Sequence, residues 1–226
     1  YLGARSTDTN VVQYFLDKGV DVNQADENGN TPFLYAANRN KLDVLKLMIP
    51  SVTDINHRNK KGQSALSLAV EQNEASVVEF LLKQGAKASV IDEVGNTIAY
   101  YVLQSYSSRN KTNFEKKVAL LKGENVNLST VQSKGNTMFH LAVEKNDADL
   151  LDWVQTTKCD INAKNEEGLT ALHKAAMSAK DTSLIQHLIA LGADTSITTD
   201  FEESVYDLAQ ENELLTKNKV DLSFLK

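Results

Sequence analysis

A ladder of glycines at a near-constant interval constrains this chain more than any other feature. Gly29, Gly62 and Gly95 are 33 residues apart; Gly135 follows after 40 and Gly168 after a further 33. Each glycine opens a similar string: NGNTPFLYAA from Asn28, KGQSALSLAV from Lys61, VGNTIAYYVL from Val94, KGNTMFHLAV from Lys134 and EGLTALHKAA from Glu167. A degenerate copy, EESVYDLAQ, begins at Glu202, 34 residues after Gly168. Self-similarity at a fixed interval of this size means stacked structural repeats.

Each repeat reads as two helices. The ladder glycine supplies a turn position tolerant of positive φ. The Thr or Ser that follows (Thr31, Ser64, Thr97, Thr137, Thr170, Ser204) suits a helix N-cap, and Pro32 suits a first helical position. Small residues then let neighbouring first helices approach: Ala36, Ala37, Ala69, Ala142, Ala175, Ala176 and Ala209. The second helix carries an apolar stripe spaced i, i+1, i+4, i+5. It is seen at Val11, Val12, Phe15 and Leu16, again at Val44, Leu45, Met48 and Ile49, and again at Val77, Val78, Leu81 and Leu82. Leu150, Leu151 and Val154 match it, as do Leu184, Ile185, Leu188 and Ile189. Gly19, Gly85, Gly123 and Gly192 read as the C-caps of these helices. One hairpin cannot bury its stripe alone, so stability comes from stacking on neighbours.

These strings resemble the ankyrin repeat family over nearly the whole chain. The resemblance implies an all-α ankyrin-repeat solenoid, with stacked helix-turn-helix units and projecting β-turns. Repeats are expected at about 1–26 (partial), 27–58, 59–92, 93–132, 133–164, 165–199 and 200–226, the last a C-terminal cap. YLGARS reads as the tail of a first helix, so further chain is expected upstream. The fourth repeat has seven extra residues. They fall between its helices, mostly in 105–113, or partly in the following turn if Gly123 is matched to Gly85. KVDLSFLK, from Lys219, either packs back on the cap or forms a tail.

Composition removes several functions. The charge is −6, from 24 Lys and Arg against 30 Asp and Glu, and no basic run stands out, which disfavours nucleic acid as partner. No stretch is apolar for the length a membrane-spanning helix needs. A single cysteine, Cys159, excludes an intrachain disulfide and reads as a small packed residue. The four histidines have no zinc-ligand spacing, and no phosphate loop, nucleophile elbow or dinucleotide fingerprint occurs. No catalytic residue, metal or cofactor is therefore expected. The cytoplasm is favoured as location; a periplasmic or secreted setting follows if a leader was removed.

The resemblance further implies that His140 and His173 support their turns through hydrogen bonds. Asn23, Asn56, Asn127 and Asn162 resemble the asparagine that some ankyrin proteins present for hydroxylation; hydrogen bonding within the turn is the role read here. It also implies that turn tips and the exposed side of the first helices form a concave groove binding another protein, with the chain a monomer. The positions that map there are Asn28, Asn30, Arg39, Lys60, Lys61, Gln63, Gln72, Val94, Asn96, Lys134, Asn136, Glu144, Leu169, Met177 and Phe201. Val94, Leu169, Met177 and Phe201 are the expected apolar anchors. Alternatively, the region targets or regulates an enzyme domain elsewhere in a longer protein.

Overall fold

Among the described residues, thirteen α-helices follow from the alternation of capped turns and apolar stripes. A computed structural model describes residues 8–39 and 42–226; the expected helix tail at YLGARS lies outside the described residues. Among these residues there are no strands, only the isolated bridges Arg58–Ser64 and Ile91–Thr97. The helices fall into two compact bodies, one ending at Asn127 and one beginning at Leu128.

In the N-terminal body, α1 (Thr9–Asp17), α3 (Leu42–Met48), α5 (Ala75–Lys83) and α7 (Lys111–Gly123) are second helices, each packed on the next. The first helices α2 (Pro32–Ala37), α4 (Ala65–Gln72) and α6 (Ile98–Gln104) form the other row. The C-terminal body repeats the plan. Its first helices are α8 (Met138–Val143), α10 (Ala171–Ser178) and α12 (Val205–Glu211). Its second helices are α9 (Ala148–Thr156), α11 (Ser183–Ala190) and α13 (Glu213–Lys217).

The small residues of the first helices do what their size allows. All seven alanines named above have 0% exposure, which brings α2 onto α4 and α10 onto α12. Val44, Leu45, Val77, Val78, Leu81, Leu150, Leu151, Val154, Ile185 and Leu188 are buried between the rows. Each such side chain contributes roughly 1.5–3 kcal/mol relative to exposure. The stripe on α1 is covered only in part: Val12 is buried, whereas Val11 and Phe15 stay exposed beside Tyr14.

The long fourth repeat places its extra residues between α6 and α7 and within a lengthened α7, not in the following turn. A 3-10 turn at Ser108–Asn110 fills the gap, and α7 has 13 residues where α5 has 9. Gly123 is thus not the capping glycine expected. It is still helical, the last residue of α7; Glu124 is the C-cap, and Asn125 takes the left-handed conformation at φ 58. Asn125 N–H bonds Lys122 O as Gly85 N–H bonds Leu82 O, which fixes the alignment. Asparagine tolerates that conformation better than most residues. At the C-terminus the tail packs back, with Leu225 buried and Lys226 Nζ 4.9 Å from the centre of the Tyr206 ring.

Candidate interaction surface

Five of the six turn tips are locked by a side chain three residues before the ladder position; Gln132, before Gly135, donates its Nε2 to Thr130 O. Asp26 Oδ1 accepts from Asn28 N–H at 2.9 Å and Asn30 N–H at 2.8 Å. Asn59 accepts in the same way from Lys61 and Gln63, Asp92 from Val94 and Asn96, and Asn165 from Glu167 and Leu169. In the last repeat Thr199 Oγ1 does the same for Phe201 and Glu203, and Glu202 adopts φ 65 in the glycine's place. Desolvation would raise the Asp26 carboxyl, but bonds from Tyr35, Asn30 and Asn28 hold it below its ordinary value.

Neighbouring turns are tied together by main-chain bonds. Lys60 N–H donates to Asn28 O at 2.9 Å, Glu93 N–H to Lys61 O at 3.1 Å and Glu166 N–H to Lys134 O at 3.0 Å. Side chains extend the ladder, Asn59 Nδ2 donating to Asn30 Oδ1 at 3.0 Å and Asn165 Nδ2 to Asn136 Oδ1 at 3.0 Å. Within each body the turns are thus joined into a row, on which outward side chains are held at fixed spacing.

A model of ankyrin repeats, in three copies, matches residues 1–92 and 105–199. The chain belongs to the ankyrin repeat family. The internal stretch left out, 93–104, holds the turn and first helix of the long ankyrin repeat; residues 200–226 also lie outside the match. Among curated proteins, the ankyrin repeat protein BB_B28 of Borreliella burgdorferi is 31% identical over 102 residues, covering 43% of this chain and 25% of that protein. The ankyrin repeat protein FPV031 of fowlpox virus is 26% identical over 128 residues, covering 57% of this chain and 36% of that protein. The chain thus spans only a minor part of these relatives' lengths. Among solved structures, the human ASB11 ankyrin repeat domain superposes with a TM-score of 0.76 at 20% identity, over 95% of this chain and 93% of that one. A chain in the structure of the Bd0816 predatory endopeptidase from Bdellovibrio bacteriovorus in complex with immunity protein Bd3460 gives 0.68 at 26% identity. That match covers 83% of this chain and 95% of the other.

Ankyrin turns and first helices bring five of the mapped residues together. Asn28, Asn30, Lys60, Lys61 and Gln63 line one depression of about 350 Å³, with Leu34, Tyr35, Asn38, Asn59 and Leu68. Arg39, Gln72 and Val94 are exposed but do not line it. Asn96 departs from the expectation: it is buried, because its side chain turns inward and donates to Asp92 Oδ2 at 3.1 Å. The Asp92 carboxylate also accepts from Tyr101 at 2.8 Å; burial, then that carboxylate, push the phenol's pKa well up.

In the C-terminal body Lys134 is exposed, and Glu144 meets Lys174 at 2.7 Å. Met177 and Phe201 are exposed, Phe201 at 81%. Leu169 is half-buried, not the exposed anchor expected; its N–H donates to Asn165 Oδ1 and its carbonyl accepts from His140 Nε2.

The histidines serve the ankyrin turns. Thr137 N–H donates to His140 Nδ1 at 3.1 Å, so Nε2 carries the proton and donates to Leu169 O at 2.8 Å. His173 accepts from Thr170 N–H in the same manner, while its Nε2 is buried without a partner of hydrogen-bonding geometry. Burial lowers the pKa of both rings; for His173 it outweighs the nearby Ile197 carbonyl, which favours the charged form. Asn23, Asn56 and Asn162 accept from the backbone of Thr53, Lys87 and Asp194 in the following repeat, so these bonds tie successive repeats together and are not confined to one turn as expected. Among the described residues no cluster of His, Cys, Asp or Glu could hold a metal ion, and no helix is long and apolar enough to cross a membrane.

Proposed function

We propose that this chain is a non-catalytic scaffold that binds a partner protein through its turn tips and the exposed sides of its first helices. Ankyrin repeats are typically protein–protein interaction modules. One observation supports the placement most: the depression beside α2 and α4 gathers five of the mapped positions onto the locked turn row. A face held rigid before binding loses little conformational freedom when a partner docks.

A test pairs charge reversals on opposite sides of the N-terminal body. Lys60→Glu with Lys61→Glu alters the turn row; Lys83→Glu alters the outer helix α5, where Lys83 pairs with Glu79 at 2.6 Å. Affinity for a partner captured from the native organism should fall about ten-fold or more with the first pair and little with the second. Equal loss from both, or loss only with Lys83→Glu, would place the binding surface elsewhere.

A second reading is that the partner is an enzyme. The structural neighbour from an endopeptidase–immunity protein complex, at 26% identity, favours it. Assay of the captured partner for hydrolase activity, with and without this chain, decides between the readings. No activity in the partner would remove the second.

A further inference from the structure

We infer that the depression between the turns led by Asp26 and Asn59 takes a carboxylate side chain, Asp or Glu, from a peptide segment of the partner. The inference rests on the reading of that face as the binding surface. Among the described residues, Lys60 and Lys61 are the only charged ones lining the depression, and no carboxylate lines it. Three cations elsewhere on the turns and first helices are matched: Lys164 with Asp200 at 2.9 Å, Lys174 with Glu144 at 2.7 Å, and Arg58 with Glu93 at 3.6 Å. Among the described residues Arg39 and Lys134 are not, but neither belongs to a pair of cations lining the depression. Among the described residues neither Lys60 nor Lys61 has such a mate. On a chain of net charge −6, two unmatched ammonium groups side by side do not reflect a generally basic surface.

The rest of the lining fits a peptide. Asn38 is exposed and its side-chain amide makes no hydrogen bond among the described residues, so it can pair with a peptide backbone. Leu34 and Leu68 supply apolar lining for a methylene stem. The volume, about 350 Å³, lies at the small end of ligand sites, enough for a short segment. A nucleic acid would require a run of phosphate contacts, and two lysines flanked by exposed Glu27 and Glu93 do not provide one. Discrimination follows from charge. A carboxylate entering the depression forms ion pairs with the two exposed ammonium groups, whereas an amide of the same shape forms none.

The test is a nuclear magnetic resonance titration of the isotope-labelled chain. The probes are the blocked peptide Gly-Ser-Glu-Asp-Gly-Ser, its amide twin Gly-Ser-Gln-Asn-Gly-Ser, and a short DNA duplex. The acidic peptide should shift the Lys60, Lys61 and Asn38 signals saturably and bind about ten-fold tighter than the twin. Lys60→Met with Lys61→Met should abolish the difference while the thermal unfolding midpoint is unchanged. Equal binding of the two peptides, no shift at these residues, or stronger binding of the duplex there would each overturn the assignment. If the peptides fail but the captured partner still loses affinity on charge reversal at Lys60 and Lys61, the carboxylate assignment falls and the binding face stands. If that partner ignores the reversal, the face itself is misplaced.

Discussion

Lys117 Nζ, on the lengthened helix α7, donates to the carbonyl of Val70 near the end of α4 at 3.0 Å. The residue is 2% exposed. Asn113, one turn earlier, accepts from Ala75 N–H at 2.8 Å, so two side chains fasten α7 to the link between α4 and α5. Helix carbonyls near a C-terminus lack internal partners, and a buried donor satisfies one.

Burial pushes the Lys117 pKa down to about 8 from 10.5, while Glu74 favours the charged form. The sign follows directly. Between those values the unfolded chain holds a proton that the folded chain has released, so stability from this group rises with pH across the window. The whole window corresponds to about 3 kcal/mol at most. Urea unfolding between about pH 8 and 9.5, below the ordinary tyrosine range, should show wild type gaining on the order of 1–2 kcal/mol over Lys117→Met. Parallel curves would show that Lys117 keeps an ordinary pKa.

Two glycines with the same backbone hand should respond differently to alanine. Gly62 has φ +75, and a Cβ there would lie 2.7 Å from Glu93 N and 2.8 Å from Asp92 Cα, which are main-chain atoms of the next turn. Gly85 has φ +88 and nothing within 4 Å. Gly85→Ala therefore carries only the left-handed penalty, about 1–2 kcal/mol. Gly62→Ala adds a clash between turns and should cost about 3 kcal/mol or more. Gly85→Asn should cost less than Gly85→Ala, as Asn125 occupies the equivalent place. Chemical denaturation of the three variants checks the order; equal losses at both glycines would refute the role assigned to the turn contact.

The repeat was legible because its signals are local and periodic. A capping Thr or Ser, a small-residue row and an apolar stripe recur at nearly fixed intervals, and each is dictated by helix geometry. Misread features were those set by a neighbour. Gly123 looked like a C-cap, yet the length of α7 depends on Lys117 and Asn113 reaching the preceding repeat. Asn96 lay at a turn tip by register, yet Asp92 draws it inward. The turn locks at Asp26, Asn59, Asp92, Asn165 and Thr199 carry the same period as the glycines; varying in type, they escape a search for identical letters. The face proposed for binding was read from the sequence only as a set of positions. Which of them share one depression was not legible, since that depends on the contact between α2 and α4.

Acid should weaken the fold through His140 and His173. Both rings are buried, and burial holds their pKa below 6.5. Below 6.5 the unfolded chain takes up protons that the folded rings refuse, so stability falls with pH until the folded values are passed. The limit is about 1.4 kcal/mol per pH unit for each ring. Protonation of His140 would also set Nδ1–H against the Thr137 N–H it accepts. Thermal unfolding midpoints from about pH 7.5 down to 5.5 should fall in wild type and fall less in His140→Gln. Identical slopes would mean that the ring titrates alike in both states.

Asn59 gives the sharpest test of the turn lock. It is 8% exposed. Its Oδ1 accepts from Lys61 and Gln63 N–H, both at 3.0 Å, and its Nδ2 donates to Asn30 Oδ1 at 3.0 Å and Gln63 Oε1 at 3.1 Å. Asn59→Ala strips the two backbone amides of their acceptor and should cost about 2–4 kcal/mol. Asn59→Asp keeps both accepting bonds and loses only the donations. The amides of Asn30 and Gln63 can turn to donate to the new carboxylate, and Asp26 and Asp92 already fill this register in the flanking turns. The Asp variant should therefore lie within about 1 kcal/mol of wild type. Urea titration of both variants reads the difference. An Asp variant as unstable as the Ala variant would show that the donations to Asn30 and Gln63, and not the capture of the turn amides, hold this part of the row together.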